Sequence, residues 1–190
     1  MILPLKAFRA DGSGYSSDVL RAIYVAVREK AKVINMSFSF STRSAELERT
    51  VKHATDRGII AIASAGNDGQ RVDVYPASLS SVIGVASSTD WDTVSDFSNY
   101  GPSVAWIAAP GEAIVSTYPF GTYAAAWGTS FSAPFAAGTA ALLAEISDRL
   151  DNRLAADAEG YSVWISDQVR KGRLHVPAAV RAWRARLGTR

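Results

Sequence analysis

No cysteine occurs among the 190 residues, which removes a disulfide framework, a thiolate metal site and a cysteine nucleophile together. An excess of one charge is missing too. Twenty basic residues against 18 acidic ones leave a net charge of +2, too little to point to a nucleic-acid or membrane partner. The N-terminal MILPLKAF is broken by Pro4 and Lys6, so no export signal is visible and the compartment stays unassigned. The longest charge-free stretch, the 32 residues from Ala113 to Ala144, carries Pro119, Gly121, Gly128, Pro134, Gly138 and many hydroxyls. Its most apolar part, Phe135 to Ala144, falls well below the ~20 residues needed to span a bilayer and reads as a buried core helix. What is present is ordinary for a globular chain: 48% hydrophobic and 20% charged residues, enough for one core and one domain over residues 1–190.

Apolar runs alternate with helical patterns along the chain. Ile2 to Phe8 is expected as a strand and is closed by the turn Ala10-Asp11-Gly12-Ser13-Gly14. Ser17 can cap a helix carrying Leu20, Ile23, Val25 and Ala26, and Val33 to Met36 reads as the next strand. Ser44 to Arg57 has an apolar stripe at Leu47, Val51 and Ala54 and stops at Gly58 before the run Ile59 to Ala63. Ser81 to Ala86 and Val104 to Ala108 add two further runs. Strands apolar on both faces belong in a parallel sheet covered by helices, so the class is α/β. From Arg170 to Arg190 there are seven basic residues and no acidic one; this tail is expected to be a solvated helix held against the body by Val180, Trp183 and Leu187.

Three segments place polar groups where such a sheet ends. In Gly128-Thr129-Ser130-Phe131-Ser132-Ala133-Pro134 a serine sits where a loop passes into the apolar helix. It is either an N-cap or a nucleophile beside the positive end of a helix dipole. Ser64-Ala65-Gly66-Asn67-Asp68-Gly69 ends an apolar strand, at the sheet edge where open α/β folds bind ligands. Asn67 is either a turn former or an amide donor to an oxyanion. Val33-Ile34-Asn35-Met36-Ser37 runs likewise into a polar end.

Taken in order, these segments resemble the subtilisin-like serine proteases, the subtilases. Residues 128–134 are similar to that family's nucleophile motif and Ala65-Gly66-Asn67-Asp68-Gly69 to its oxyanion segment. Tyr75-Pro76-Ala77, Phe97-Ser98-Asn99-Tyr100-Gly101, Ala108-Ala109-Pro110-Gly111 and Ile114-Val115-Ser116-Thr117 keep the family's order between them. The resemblance covers residues 2–143, with a weaker closing segment at 172–180. It implies a three-layer fold with a mostly parallel central sheet, the N-terminal strands missing, and peptide hydrolysis through an acyl-enzyme. Ser130 would be the nucleophile and Asn67 an oxyanion donor. Ser37, Phe38 and Ser39 with Ser64, Ala65 and Gly66 would line the substrate. Ser39 and Phe40 replace the smaller residues usual there and are expected to narrow the cleft.

The resemblance also implies an Asp and a His on segments N-terminal to Ile2, and this sequence has neither. His53, inside an amphipathic helix, and His175, in the tail, lie outside any His-Gly-Thr context and are read as structural. The chain is therefore expected to be a truncated piece, inactive alone, whose partners are a protein or peptide substrate and a missing segment carrying Asp and His. No cofactor is required for this chemistry. The family frequently binds structural calcium, but no carboxylate cluster here has oxygen-cage spacing, so no ligand is assigned. The alternative is a noncatalytic module of the same fold that binds peptides or partners. A different α/β hydrolase or a nucleotide-binding domain is disfavoured, because no Gly-x-Ser-x-Gly elbow and no phosphate-binding glycine motif occurs.

Overall fold

A computed structural model describes residues 1–147, 149–151, 155, 157 and 166–188. Its centre is a four-stranded parallel sheet formed by β1 (Val33–Met36), β2 (Ile60–Ser64), β3 (Ile83–Ser88) and β4 (Ile107–Pro110), in that spatial order. The register pairs Asn35 with Ile62, Ala63 with Gly84 and Val85 with Ile107. Helices α1 (Ser16–Arg28) and α2 (Ala45–Thr55) lie on one face. Helices α3 (Thr129–Ile146) and α4 (Val176–Leu187) lie on the other. The expected three-layer α/β architecture is thus present. No helix among the described residues is long and apolar enough to cross a membrane.

Residue size decides which helices pack on which face. Alternate residues of a strand point to opposite sides, so β2 turns Ile60 and Ile62 towards α3 and α4 and Ala61 and Ala63 towards α1 and α2. Large sheet residues meet small helix residues: Ile60, Ile62, Ile83, Val85 and Ile107 pack against Ala133, Ala136 and Ala140 of α3. The other face reverses the pattern, with Ala61, Ala63, Ala86 and Ala108 under Val19, Ile23, Leu47 and Val51. Each side fills the space the other leaves, as close packing requires. The tail helix α4 docks as expected, with Trp183 buried and its indole N–H donating to the Leu143 carbonyl at 3.1 Å. Trp183→Ala should cost about 3–5 kcal/mol in chemical unfolding, the usual range for a deleted core aromatic. An unchanged midpoint would mean that α4 does not contribute to the core.

Several sequence expectations need correction. Ile2 to Phe8 forms no strand: Ile2 is exposed, and only Ala7 and Phe8 pack against the core. Pro4 removes a ladder donor, and an apolar run becomes a strand only where an edge lies within reach. Helix α1 starts at Ser16 with Tyr15 as its N-cap and no side-chain cap bond, so Ser17 is inside the helix. The last run is shifted: Val104 and Ala105 donate back to Gly101 in a turn, and the strand begins at Ile107. An antiparallel hairpin of β5 (Ile114–Tyr118) and β6 (Thr122–Ala126) stands beside the main sheet. It had no clear sequence signature, because its strands mix hydroxyls and alanines and its turn, Pro119-Phe120-Gly121, is not a usual hairpin pair.

Candidate active site

Strand β6 ends at Ala126, and the chain turns through Gly128 directly into α3, which puts Ser130 second in the helix. Gly128 has φ 142° and donates its N–H to Gly111 O at 2.9 Å. That φ is one that side-chain-bearing residues rarely adopt, whereas a Cβ there would meet Asn67 Nδ2 only at an ordinary contact of 3.4 Å, so the backbone turn is what calls for glycine.

Asn67 follows β2 and faces the first turn of α3. Its Oδ1 accepts from both the backbone N–H and the hydroxyl of Thr129, each at 2.9 Å. The Thr129 hydroxyl in turn accepts from Gly66 N at 3.1 Å. With Oδ1 committed, the amide orientation is fixed and Nδ2 becomes the outward donor. Among the described residues nothing accepts from Nδ2 or from the Ser130 backbone N–H. The Ser130 N–H is thus one of the unpaired donors at a helix N-terminus, where negative charge is stabilised, and Asn67 stands on the facing loop, joined to that terminus through Thr129.

The serine is held from the other side by the end of β1. Pro134 lacks an N–H, so the Ser130 carbonyl loses its i+4 helical donor. The Ser37 hydroxyl replaces it, donating to Ser130 O at 2.9 Å, and itself accepts from Asn35 Nδ2 at 2.9 Å. In return Ser130 Oγ donates to the Ser37 carbonyl at 3.3 Å. These reciprocal bonds tie the β1 end to the α3 start across 93 residues. Neither histidine joins them. His53 lies on α2, beside the Tyr24 ring at 5.2 Å and Arg57 Nη1 at 3.0 Å. His175 caps α4, its Nδ1 accepting from Ala178 N at 3.2 Å.

The other expected site residues separate into two groups. Ser64, Ala65 and Gly66 are buried, and their backbone is spent internally: Ala65 N–H on Val85 O, Gly66 O on Asn99 N–H. Ser37, Phe38 and Ser39 lie along the open side. Phe38 sits 5.3 Å from Phe8 and 5.6 Å from Phe40 in a row of rings. Phe40 pairs with Tyr75 through two backbone bonds of 2.7 and 2.8 Å. Beyond them Ser39 and Phe40, with Val19 and Leu47, line a groove of about 400 Å³. At its rim, hydrogen bonds from Arg43 hold the Glu48 carboxyl below its ordinary range. No cluster of His, Asp or Glu able to hold a metal occurs among the described residues. Thr129 and Asn35 were missed in the sequence; only their adjacency to Ser130 and to Ser37 hinted at them.

The family model described as the subtilase family matches residues 1–159. Thermitase of Thermoactinomyces vulgaris is 41% identical over 155 residues, covering 82% of this chain but 55% of thermitase. A thermophilic serine proteinase of Bacillus sp. (strain AK1) is 41% identical over 143 residues, 75% of this chain and 35% of that protein. The chain therefore spans about half the length, or less, of these curated relatives. Among solved structures, the prenylagaramide maturation protease PagA superposes with a TM-score of 0.81 at 29% identity, covering 95% of this chain and 71% of that one. A mutant of the protease domain of PatA gives 0.84 at 28% identity, with 94% and 70% covered.

Proposed function

The chain belongs to the subtilase family, and from that premise we propose that it is the nucleophile-bearing part of a serine endopeptidase that needs a general base from a further segment. The observation that carries this reading is the Thr129 link: it joins Asn67 to the helix start that bears Ser130, and among the described residues nothing accepts from Asn67 Nδ2 or the Ser130 N–H. With an imidazole beside Ser130, Oγ would attack the peptide carbonyl as its proton passes to that imidazole. The carbonyl oxygen, now negative, would be held by the two N–H donors. The imidazolium would then protonate the leaving amine as the C–N bond breaks, and water would hydrolyse the ester by the same route. Substrates would be proteins or peptides lying along Ser37, Phe38 and Ser39. No cofactor enters these steps.

Two uncovered surfaces support the additional segment. The outer edge of β1 has no partner strand among the described residues, and only Met36 of its four residues is fully buried. No charged residue or proline protects that edge between Val33 and Thr42, unlike the edges that proteins leave open. On α3, Phe135, Gly138, Ala141 and Leu142 form an exposed apolar stripe, a face that helices normally bury. A strand followed by a helix would cover both. A noncatalytic binding module is the second reading, favoured by the Ser130 hydroxyl donating to Ser37 O instead of to a base. A fluorophosphonate probe separates the two. Mixed with an N-terminal piece bearing the family's Asp and His segments, the chain should be labelled, and Ser130→Ala should not. Equal labelling of both, or of neither, would refute the protease reading.

A further inference from the structure

Asn67 is exposed and, among the described residues, its side chain is gripped through Oδ1 alone, yet an oxyanion donor acts only if its position is fixed before charge develops. The backbone that carries it must therefore be held. One residue, 32 positions further along the chain, meets the loop on both sides of Asn67. Asn99 is fully buried, and its backbone N–H donates to the carbonyl of Gly66 at 2.9 Å. Its Oδ1 accepts from the N–H of Asp68 at 3.0 Å and of Gln70 at 3.3 Å, while its Nδ2 donates to Asp68 Oδ2 at 2.9 Å. Gly66, with φ 92°, makes the approach possible: a Cβ there would lie 2.4 Å from Asn99 Nδ2.

We propose that Asn99 is the positioning residue for Asn67, clamping the residues immediately before and after it and locking the clamp through an amide–carboxylate pair with Asp68. The proposal rests on the protease reading of the site. It depends on the direction of the pair, since an amide offers one donor and one acceptor to the loop whereas a carboxylate offers acceptors alone. Asn99→Asp would set carboxylate against carboxylate at the Asp68 contact. The double exchange Asp68→Asn, Asn99→Asp would reverse the pair and keep every bond, the buried carboxylate then accepting from two backbone N–H groups and an amide, the satisfaction that a buried charge needs.

The test uses the full chain complemented with the N-terminal piece. Asn99→Asp should lower kcat roughly 10- to 100-fold with KM little changed, as expected for a catalytic group displaced by a fraction of an ångström. The double exchange should recover most of it. Amide hydrogen exchange of the chain gives a readout that needs no turnover. Asp68 and Gln70 should exchange faster in Asn99→Asp and regain protection in the double exchange, with α2 and α4 unchanged. If Asn99→Asp does not fold, Asp68→Ala serves in its place, since Asp68 is exposed; faster loop exchange with an intact core is then expected. Unchanged loop protection in the single variants, or no rescue by the double exchange, would overturn the proposal. Loop exchange that follows the pattern while no complemented variant hydrolyses peptide would refute the protease reading and leave the clamp standing.

Discussion

Purified without any added segment, the chain is expected to hydrolyse casein no faster than its own Ser130→Ala variant. A serine hydroxyl is a weak nucleophile until a base takes its proton. Here its hydrogen bond goes to the Ser37 carbonyl, a group that cannot accept a proton at neutral pH. Binding and the oxyanion donors alone leave about 10³ to 10⁴-fold over water, a residue known from subtilisin, a member of this same family. Enzymatic accelerations commonly exceed ~10⁶, so that remainder disappears in the background of a protease assay. Neither histidine can rescue it, because His53 lies on α2 against the Tyr24 ring, under the opposite face of the sheet, and His175 is occupied in capping α4. Cleavage by the parent that Ser130→Ala abolishes would show that the chain itself supplies a base to Ser130.

The second large effect is expected at Asn67. In the complemented protein, Asn67→Ala should lower kcat about 10² to 10³-fold, the cost established in subtilisin for losing one such donor, with KM little affected. The reasoning is that Nδ2 meets the substrate oxygen fully only when it carries negative charge, so the loss falls on the transition state. Asn67→Ala also leaves Thr129 N–H and its hydroxyl without their shared acceptor. Asn67→Asp separates the two losses: it keeps that acceptor but removes the amide donor, and it should be as slow as Asn67→Ala. A loss confined to KM would make Asn67 a substrate-binding group only.

The sequence is most readable where a single segment decides its own conformation. Val33 to Met36 and Ile59 to Ala63 are apolar on both faces, and only a covered parallel sheet accommodates that; they became β1 and β2 within a residue. Ser44 ahead of an amphipathic run became an N-cap accepting from Leu47 N at 3.3 Å. The segments holding Ser130 and Asn67 stand out because each motif is contiguous, and the fold joins the two through Thr129. Ile2 to Phe8 misled because strand formation depends on a neighbour that no local pattern encodes. Asn99 and Pro134 were opaque for the same reason in reverse. The buried amide of Asn99 has meaning only beside Gly66 and Asp68, and the backbone N–H missing at Pro134 matters only because the Ser37 hydroxyl arrives to replace it as hydrogen-bond donor. Even the spacing of the pair is uninformative, since 93 residues separate Ser37 from Ser130.

The most direct measurement is a titration of the chain with an N-terminal piece carrying the family's Asp and His segments, following release of a fluorescent amine from a peptide substrate. Turnover should be absent at the start, rise with the added piece to saturation at one equivalent, and vanish in Ser130→Ala at every point. Saturable binding of the piece with no turnover, or turnover that survives Ser130→Ala, would contradict the account.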